Sequence, residues 1–271
     1  MSLSTPADRP SGMLTQFIQA KEEEVAVLRR HSAQGRLGKI CPQRSPSLRS
    51  TLLGQGPGAV IAEYKPASPS KGPIAPDLTA REAGRLFMQG GASAISVLTD
   101  SRFFGSSLQA LEDLAKTRLP LLRKDFIIHP LQVQETASTP ASAFLLITRL
   151  FEHDSLLQDT YAAGMSVGLE PVVEVFDHQD VLRAKKLGAE IFLVNSRDLD
   201  SLHLNLDIHH ALIQDKEDDE LWICASGLDT GRQVQAMADL GYGACLIGTS
   251  IMHSPDRLRA LQALTAQGLG T

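Results

Sequence analysis

Eight short runs decide the fold: AVIAEYK (59–65), SAISVLT (93–99), LPLLRK (119–124), AFLLI (143–147), EPVVEV (170–175), EIFLVN (190–195), LWICA (221–225) and ACLIG (244–248). Each has the length and the apolar content of a strand buried on both faces. Between them lie longer stretches of helical spacing: Thr79 to Gln89, Ser107 to Lys116, His178 to Leu187, Gly231 to Leu240 and Pro255 to Ala266. Several follow a capping Asp, Ser or Thr. Small-residue turns such as GGAS (90–93) and LGAE (187–190) suit a helix that stops and a buried strand that starts. Eight β-α units at this spacing predict an α/β protein, a (β/α)8 or TIM barrel. A doubly wound open sheet is the alternative that strand counting leaves.

Working outward, the N-terminal part reads differently. Met13, Leu14, Phe17, Ile18, Val25 and Leu28 recur at helical spacing between Gly12 and Arg30, and a second short helix is expected over Ser47 to Leu53. Residues 1–55 are therefore read as a helical extension packed on the barrel, and residues 56–271 as the barrel and catalytic domain. The first ten residues are polar, carry Pro6 and Pro10, and are expected to be mobile.

Composition narrows the function. The 271 residues are 43% hydrophobic and 21% charged, which describes a globular protein. Twenty-six Lys and Arg against 31 Asp and Glu give a net charge of −5, and no basic cluster interleaves with aromatics, so nucleic-acid binding is not expected. No apolar stretch suits a signal peptide or a membrane span, and no membrane association is expected. Cys41, Cys224 and Cys245 lack metal spacing, the last two within buried strands, which points to reduced thiols, a cytoplasmic protein and no metal site. The adjacent His209 and His210 point to different helix faces; with His178 and His203 they are read as surface histidines. The acidic run DKEDDE (215–220) reads as a solvated linker. Oligomeric state and protein partners are not legible.

Barrel enzymes work at the C-terminal ends of their strands. Here those ends carry Glu63 and Lys65, Arg123-Lys124-Asp125, Glu174, Asn195 with Arg197, Ser226-Gly227, and Gly248-Thr249-Ser250. Positions 63 and 65 face the same way on a strand, and a buried Glu-Lys pair is costly to keep for stability alone. The small-residue turns after the last two strands suit backbone N–H binding of a phosphate, to which Ser68 and Lys71 of the loop PASPSKGPIAP (66–76) can add. Two glutamates and two lysines beside a phosphate also suit aldol, isomerase or Schiff-base chemistry. Lys65, Lys124 and Arg197 make the mouth locally positive, so an anionic substrate is compatible with the net charge.

Six motifs in order, IAEYKPASPSKG (61–72), LLRKDFIIHPLQV (121–133), PVVEV (171–175), NSRDL (195–199), SGL (226–228) and LIGTSIM (246–252), resemble indole-3-glycerol phosphate synthase, a (β/α)8 family of tryptophan biosynthesis. That family has extra N-terminal helices, which suit residues 12–53. The resemblance implies ring closure of 1-(2-carboxyphenylamino)-1-deoxyribulose 5-phosphate with loss of carbon dioxide and water, and no cofactor. It places Lys124 as the acid at the carbonyl oxygen, Glu174 and Glu63 as acid and base, Lys65 on the substrate carboxylate and Asn195 on substrate hydroxyls. Ser68, Gly227, Gly248 and Thr249 would hold the phosphate, with Arg197 and Ser226 beside them, and Phe103 and Phe126 would enclose the anthranilate ring.

The sequence departs from the family pattern at four places. Ala225 stands where the family has a glutamate, His129-Pro130-Leu131 replaces Asp-Pro-Tyr, Pro66 replaces a basic residue, and TPASA (139–143) replaces a Gly-Ala-Asp-Ala turn. Ala225 removes a carboxylate from the mouth. Besides the synthase, this leaves a related enzyme for another phosphorylated substrate and a catalytically weak phosphate-binding barrel as readings.

Overall fold

A computed structural model describes residues 12–201 and 203–268, so the first ten residues lie outside it. The barrel strands are β1 (Ala59–Tyr64), β2 (Ala94–Leu98), β3 (Leu121–Lys124), β4 (Ala143–Ile147), β5 (Glu170–Val175), β6 (Ile191–Asn195), β7 (Leu221–Ala225) and β8 (Ala244–Ile247). Each pairs in parallel with the next, and β8 pairs with β1 through Ile61 opposite Leu246, which closes the barrel. An open doubly wound sheet is excluded by that closure.

The helices, in order, are α1 (Met13–Ala33), α2 (Leu48–Gln55), α3 (Ala80–Gln89), α4 (Ser101–Phe104), α5 (Gln109–Leu114), α6 (Pro130–Ala137), α7 (Asp154–Ser166), α8 (His178–Lys186), α9 (Asp207–Leu212), α10 (Gly231–Asp239), α11 (Thr249–His253) and α12 (Arg257–Gly268). Local chemistry fixes several starts. Thr79 with Glu82 and Thr230 with Gln233 form capping boxes on α3 and α10, and Asp177 caps α8. The helix expected over Ser107 to Lys116 is shorter, ending in a 3-10 turn at Ala115–Thr117 before Arg118 adopts a left-handed φ of 58°.

The two N-terminal helices engage opposite ends of the barrel. At the bottom, Ser47 Oγ donates to Glu170 Oε1 at 2.6 Å and the Leu48 N–H donates to Glu170 Oε2 at 2.6 Å, where Glu170 begins β5. Leu48 and Leu52 are fully buried there, each worth about 2 kcal/mol by transfer from water. At the mouth, α1 buries Phe17, Lys21, Val25 and Leu28, and its Leu14 N–H donates to Asp200 Oδ1 in the loop after β6.

Between barrel and helices, Trp222 stacks on Phe192 at 4.9 Å and donates its Nε1–H to Glu220 Oε2. Two sequence expectations change here. Glu220, at the end of the acidic run, is buried, since it serves that indole and Lys185 Nζ at 3.2 Å. His209 is also buried, packed edge-on against Tyr242, because α9 turns it inward; His210 stays exposed. Cys224 and Cys245 sit side by side on β7 and β8 as buried free thiols. Among the described residues no helix is long and apolar enough to cross a membrane.

Candidate active site

Alternation along each strand selects which polar side chains reach the barrel axis. On β1, Glu63 and Lys65 share a face, with Lys65 Nζ 2.8 Å from Glu63 Oε2. On β3 only Lys124 enters the mouth, while Arg123 turns to the helix layer and bonds the Gln132 carbonyl, Glu135 and Thr136 of α6. Glu174, near the end of β5, is 0% exposed. Its Oε1 accepts from Asn195 Nδ2 at 3.3 Å; its Oε2 has no hydrogen-bond partner and lies 3.9 Å from Lys124 Nζ.

These surroundings push the two acids apart. Burial raises the Glu174 carboxyl above the usual range, and the Lys124 cation offsets that only in part. Burial acts on Glu63 too, but Lys65 and Lys124 outweigh it and hold that carboxyl below the usual range. The two environments thus move the carboxyls in opposite directions from their ordinary range, the pattern by which one pocket can divide acid and base work between two carboxyls.

The cavity above them measures about 320 Å³. Every site residue expected from sequence lines it except Phe103: Glu63, Lys65, Ser68, Lys124, Phe126, Glu174, Asn195, Arg197, Ser226, Gly227, Gly248 and Thr249, with Lys71 beside them. Asn195 Oδ1 accepts from the Arg197 N–H at 3.1 Å and from Ser226 Oγ at 2.9 Å, tying the ends of β6 and β7 together. Ser226 and Gly227 are both left-handed, at φ 73° and 75°, and a Cβ on Gly227 would lie 2.5 Å from Leu206. At Gly248 a Cβ would meet Glu63 Oε2 at 2.4 Å, so only glycine lets the strand-eight turn pass the carboxylate. Ser68 Oγ is buried without a hydrogen-bond partner.

A family model described as indole-3-glycerol phosphate synthase matches residues 14–264. The chain belongs to the indole-3-glycerol phosphate synthase family. It is 33% identical to the synthase of Desulfosudis oleivorans over 93% of this chain and 98% of the relative. Identity to that of Opitutus terrae is 34% over 90% and 94%, and to that of Legionella pneumophila 33% over 94% and 98%. Solved structures agree on the barrel alone. A thiamine phosphate pyrophosphorylase from Pyrococcus furiosus superposes with a TM-score of 0.57 at 12% identity, covering 79% of this chain and 96% of that one. A 3-hexulose-6-phosphate synthase from Salmonella typhimurium gives 0.57 at 14%, covering 78% and 98%.

Within this synthase family member, the aromatic end of the cavity differs from expectation. Phe103 packs edge-on against Phe17 at 4.7 Å and lies off the cavity; Phe104 lines it instead, since successive residues of α4 point about 100° apart. Phe17 of α1 also lines the cavity, stacked on Phe126 with ring centroids 4.2 Å apart. Sequence reading placed Phe17 only on a buried helical stripe, and nothing local marked that stripe as facing the mouth. Ala225, 2% exposed, opposes Asn195 across β6 and β7 and lines the cavity. Among the described residues no group of three His, Cys, Asp or Glu is placed to hold a metal ion.

Proposed function

We propose that the protein closes the indole ring of 1-(2-carboxyphenylamino)-1-deoxyribulose 5-phosphate, releasing carbon dioxide and water, as a carbon-carbon lyase of tryptophan biosynthesis. The observation that carries this reading is the buried Glu174, with one oxygen lacking a hydrogen bond and Lys124 3.9 Å away, in the same pocket as a Glu63 whose carboxyl is shifted in the opposite direction by Lys65 and Lys124.

The ring carbon that bears the carboxylate attacks the ribulose carbonyl carbon, and Lys124 Nζ gives its proton to the carbonyl oxygen. Carbon dioxide then leaves, and its bonding electrons restore the aromatic ring. The new hydroxyl departs as water with a proton from Glu174, while Glu63 removes a proton from the adjoining carbon to form the ring double bond. Lys65 contacts the substrate carboxylate and keeps Glu63 ionised; the pair distance of 2.8 Å supports the second role. Asn195, fixed by Ser226 and the Arg197 backbone, orients the hydroxyls. Ser68, Gly227, Gly248 and Thr249 hold the phosphate, with Ser226 and Arg197 beside it. Phe126, Phe104 and Phe17 enclose the anthranilate ring, in place of the expected Phe103.

The test is to incubate purified protein with that substrate, adding no metal or cofactor, and to follow indole fluorescence. Turnover on the order of 1 per second or faster is expected. Binding without turnover would overturn the assignment in favour of a phosphate-binding barrel, and turnover of a different ribulose phosphate in its place would favour a related enzyme.

A further inference from the structure

Helix α1 buries a lysine that the chemistry above does not use. Lys21 is 1% exposed, and its Nζ lies 2.7 Å from Asp100 Oδ2, 2.8 Å from Asp125 Oδ1 and 2.9 Å from Glu24 Oε1. Each of the two buried acids governs an aromatic segment. Asp100 caps α4 by accepting from the Phe103 N–H at 2.7 Å, and Phe104 ends that helix. Asp125 Oδ1 accepts from the Phe126 N–H at 2.8 Å, and its Oδ2 accepts from Thr99 Oγ1 at 2.6 Å and from the Arg123 guanidinium at 3.0 Å. Phe17 stands one turn before Lys21 on the same face of α1.

We propose that Lys21 is a positioning residue for the synthase reaction: its single ammonium group ties α1, the turn into α4 and the segment after β3 together, and so assembles Phe17, Phe104 and Phe126 into one wall of the substrate cavity. The three rings come from three separate segments, and no backbone ladder joins α1 to the other two. A buried ion cluster of this kind is a poor source of net stability, because apolar residues of similar volume often serve as well; what it supplies is a defined arrangement.

The kinetic half of this inference rests on the ring-closure reading, and the structural half does not. The experiment combines steady-state kinetics with the ring-closure substrate and hydrogen exchange resolved to the segments 101–106 and 126–129. In Lys21→Met, faster exchange is expected in both segments, with KM raised about tenfold or more and kcat changed less than about threefold. In Asp100→Asn, which keeps an oxygen for the α4 cap but loses the charge facing Lys21, faster exchange is expected in 101–106 alone, with a smaller rise in KM. A lower melting temperature with unchanged KM, or exchange unaltered in these segments, overturns the proposal. If Lys21→Met does not fold, Asp100→Asn decides by the same two readouts. If the wild-type protein fails to close the ring, the ring-closure reading falls, and the exchange pattern still accepts or rejects the tie.

Discussion

Two clusters of carboxylates and cations lie on either side of β3, and their members there, Lys124 in one and Arg123 and Asp125 in the other, are neighbours in sequence. Inside the barrel, Lys124, Glu174, Glu63 and Lys65 face an open cavity, and the nearest cation to Glu174, Lys124 Nζ, is 3.9 Å away. Outside it, Lys21, Asp100, Asp125 and Arg123 are buried within 4% exposure and joined by contacts of 2.7 to 3.0 Å. Their protonation follows. Burial works against the charges in the outer cluster, but the partners win, so Asp125 is held far below the usual carboxylate range and Lys21 above the usual lysine range. In the inner cluster burial wins at Glu174, and its carboxyl moves up. Where close opposite charges outweigh burial, the protons are held fixed and the cluster serves architecture; where burial outweighs a distant partner, a carboxyl is moved towards proton exchange.

The largest effect expected from this contrast is at Lys124. Lys124→Ala should lower kcat by about 10³-fold, within the range for a lost general acid, while the melting temperature stays close to wild type. A variant with near-normal turnover would remove Lys124 from the proton-donor role. The neighbouring substitution should do the reverse. Asp125→Ala leaves Lys21 and Arg123 short of a buried partner, and about 3–5 kcal/mol of stability should be lost, read by denaturant unfolding. The pH dependence has a definite sign. A carboxyl whose folded pKa is depressed adds stability that is complete above the ordinary aspartate value of about 4 and is lost as pH falls through the folded value. Acid unfolding of the wild type should therefore be steeper in pH than that of Asp125→Ala. Equal slopes would mean that the outer cluster is not locked.

Gly248 offers a smaller, local test of the inner cluster. The added Cβ of Gly248→Ala falls 2.4 Å from Glu63 Oε2, so the carboxylate must swing away from Lys65. A loss of about 10- to 100-fold in kcat/KM is expected, as for a catalytic group displaced by about an ångström. Unchanged kcat/KM would show that the Glu63 position is not critical.

The barrel and most of the inner cluster were legible in sequence because both obey local rules. Strands buried on two faces are continuous apolar runs, and the polar residues that end them point into the mouth by alternation. The outer cluster obeys no local rule: Lys21 meets Asp100 and Asp125 only because α1 crosses the mouth. One signal was present, since Lys21 occupies the stripe of Phe17, Val25 and Leu28, where an unpaired lysine would not be tolerated. Phe103 and Phe104 could not be told apart because the choice depends on where Asp100 starts α4. His209 likewise differs from His210 only through the direction in which α9 packs on Tyr242.

The smallest expected effect is the one that separates the two inner acids. Glu174 has a raised folded pKa, so ionising it costs stability at any pH above its unfolded value of about 4.3, and the cost is complete above the folded value. Glu174→Gln should therefore raise the melting temperature near pH 8 by about 2–4 °C per kcal/mol regained, with the gain fading as pH falls through the folded value. Glu63 has a depressed folded pKa and contributes stability above about pH 4.3, so Glu63→Gln should lower the melting temperature under the same conditions. Thermal melts of the two variants at pH 8 and pH 4 are enough to check this. Both variants should lose turnover, so activity cannot distinguish them, but their stabilities should move in opposite directions. If both melting temperatures move the same way, the two carboxyls are not shifted in opposite directions, and the division into one acid and one base loses its support.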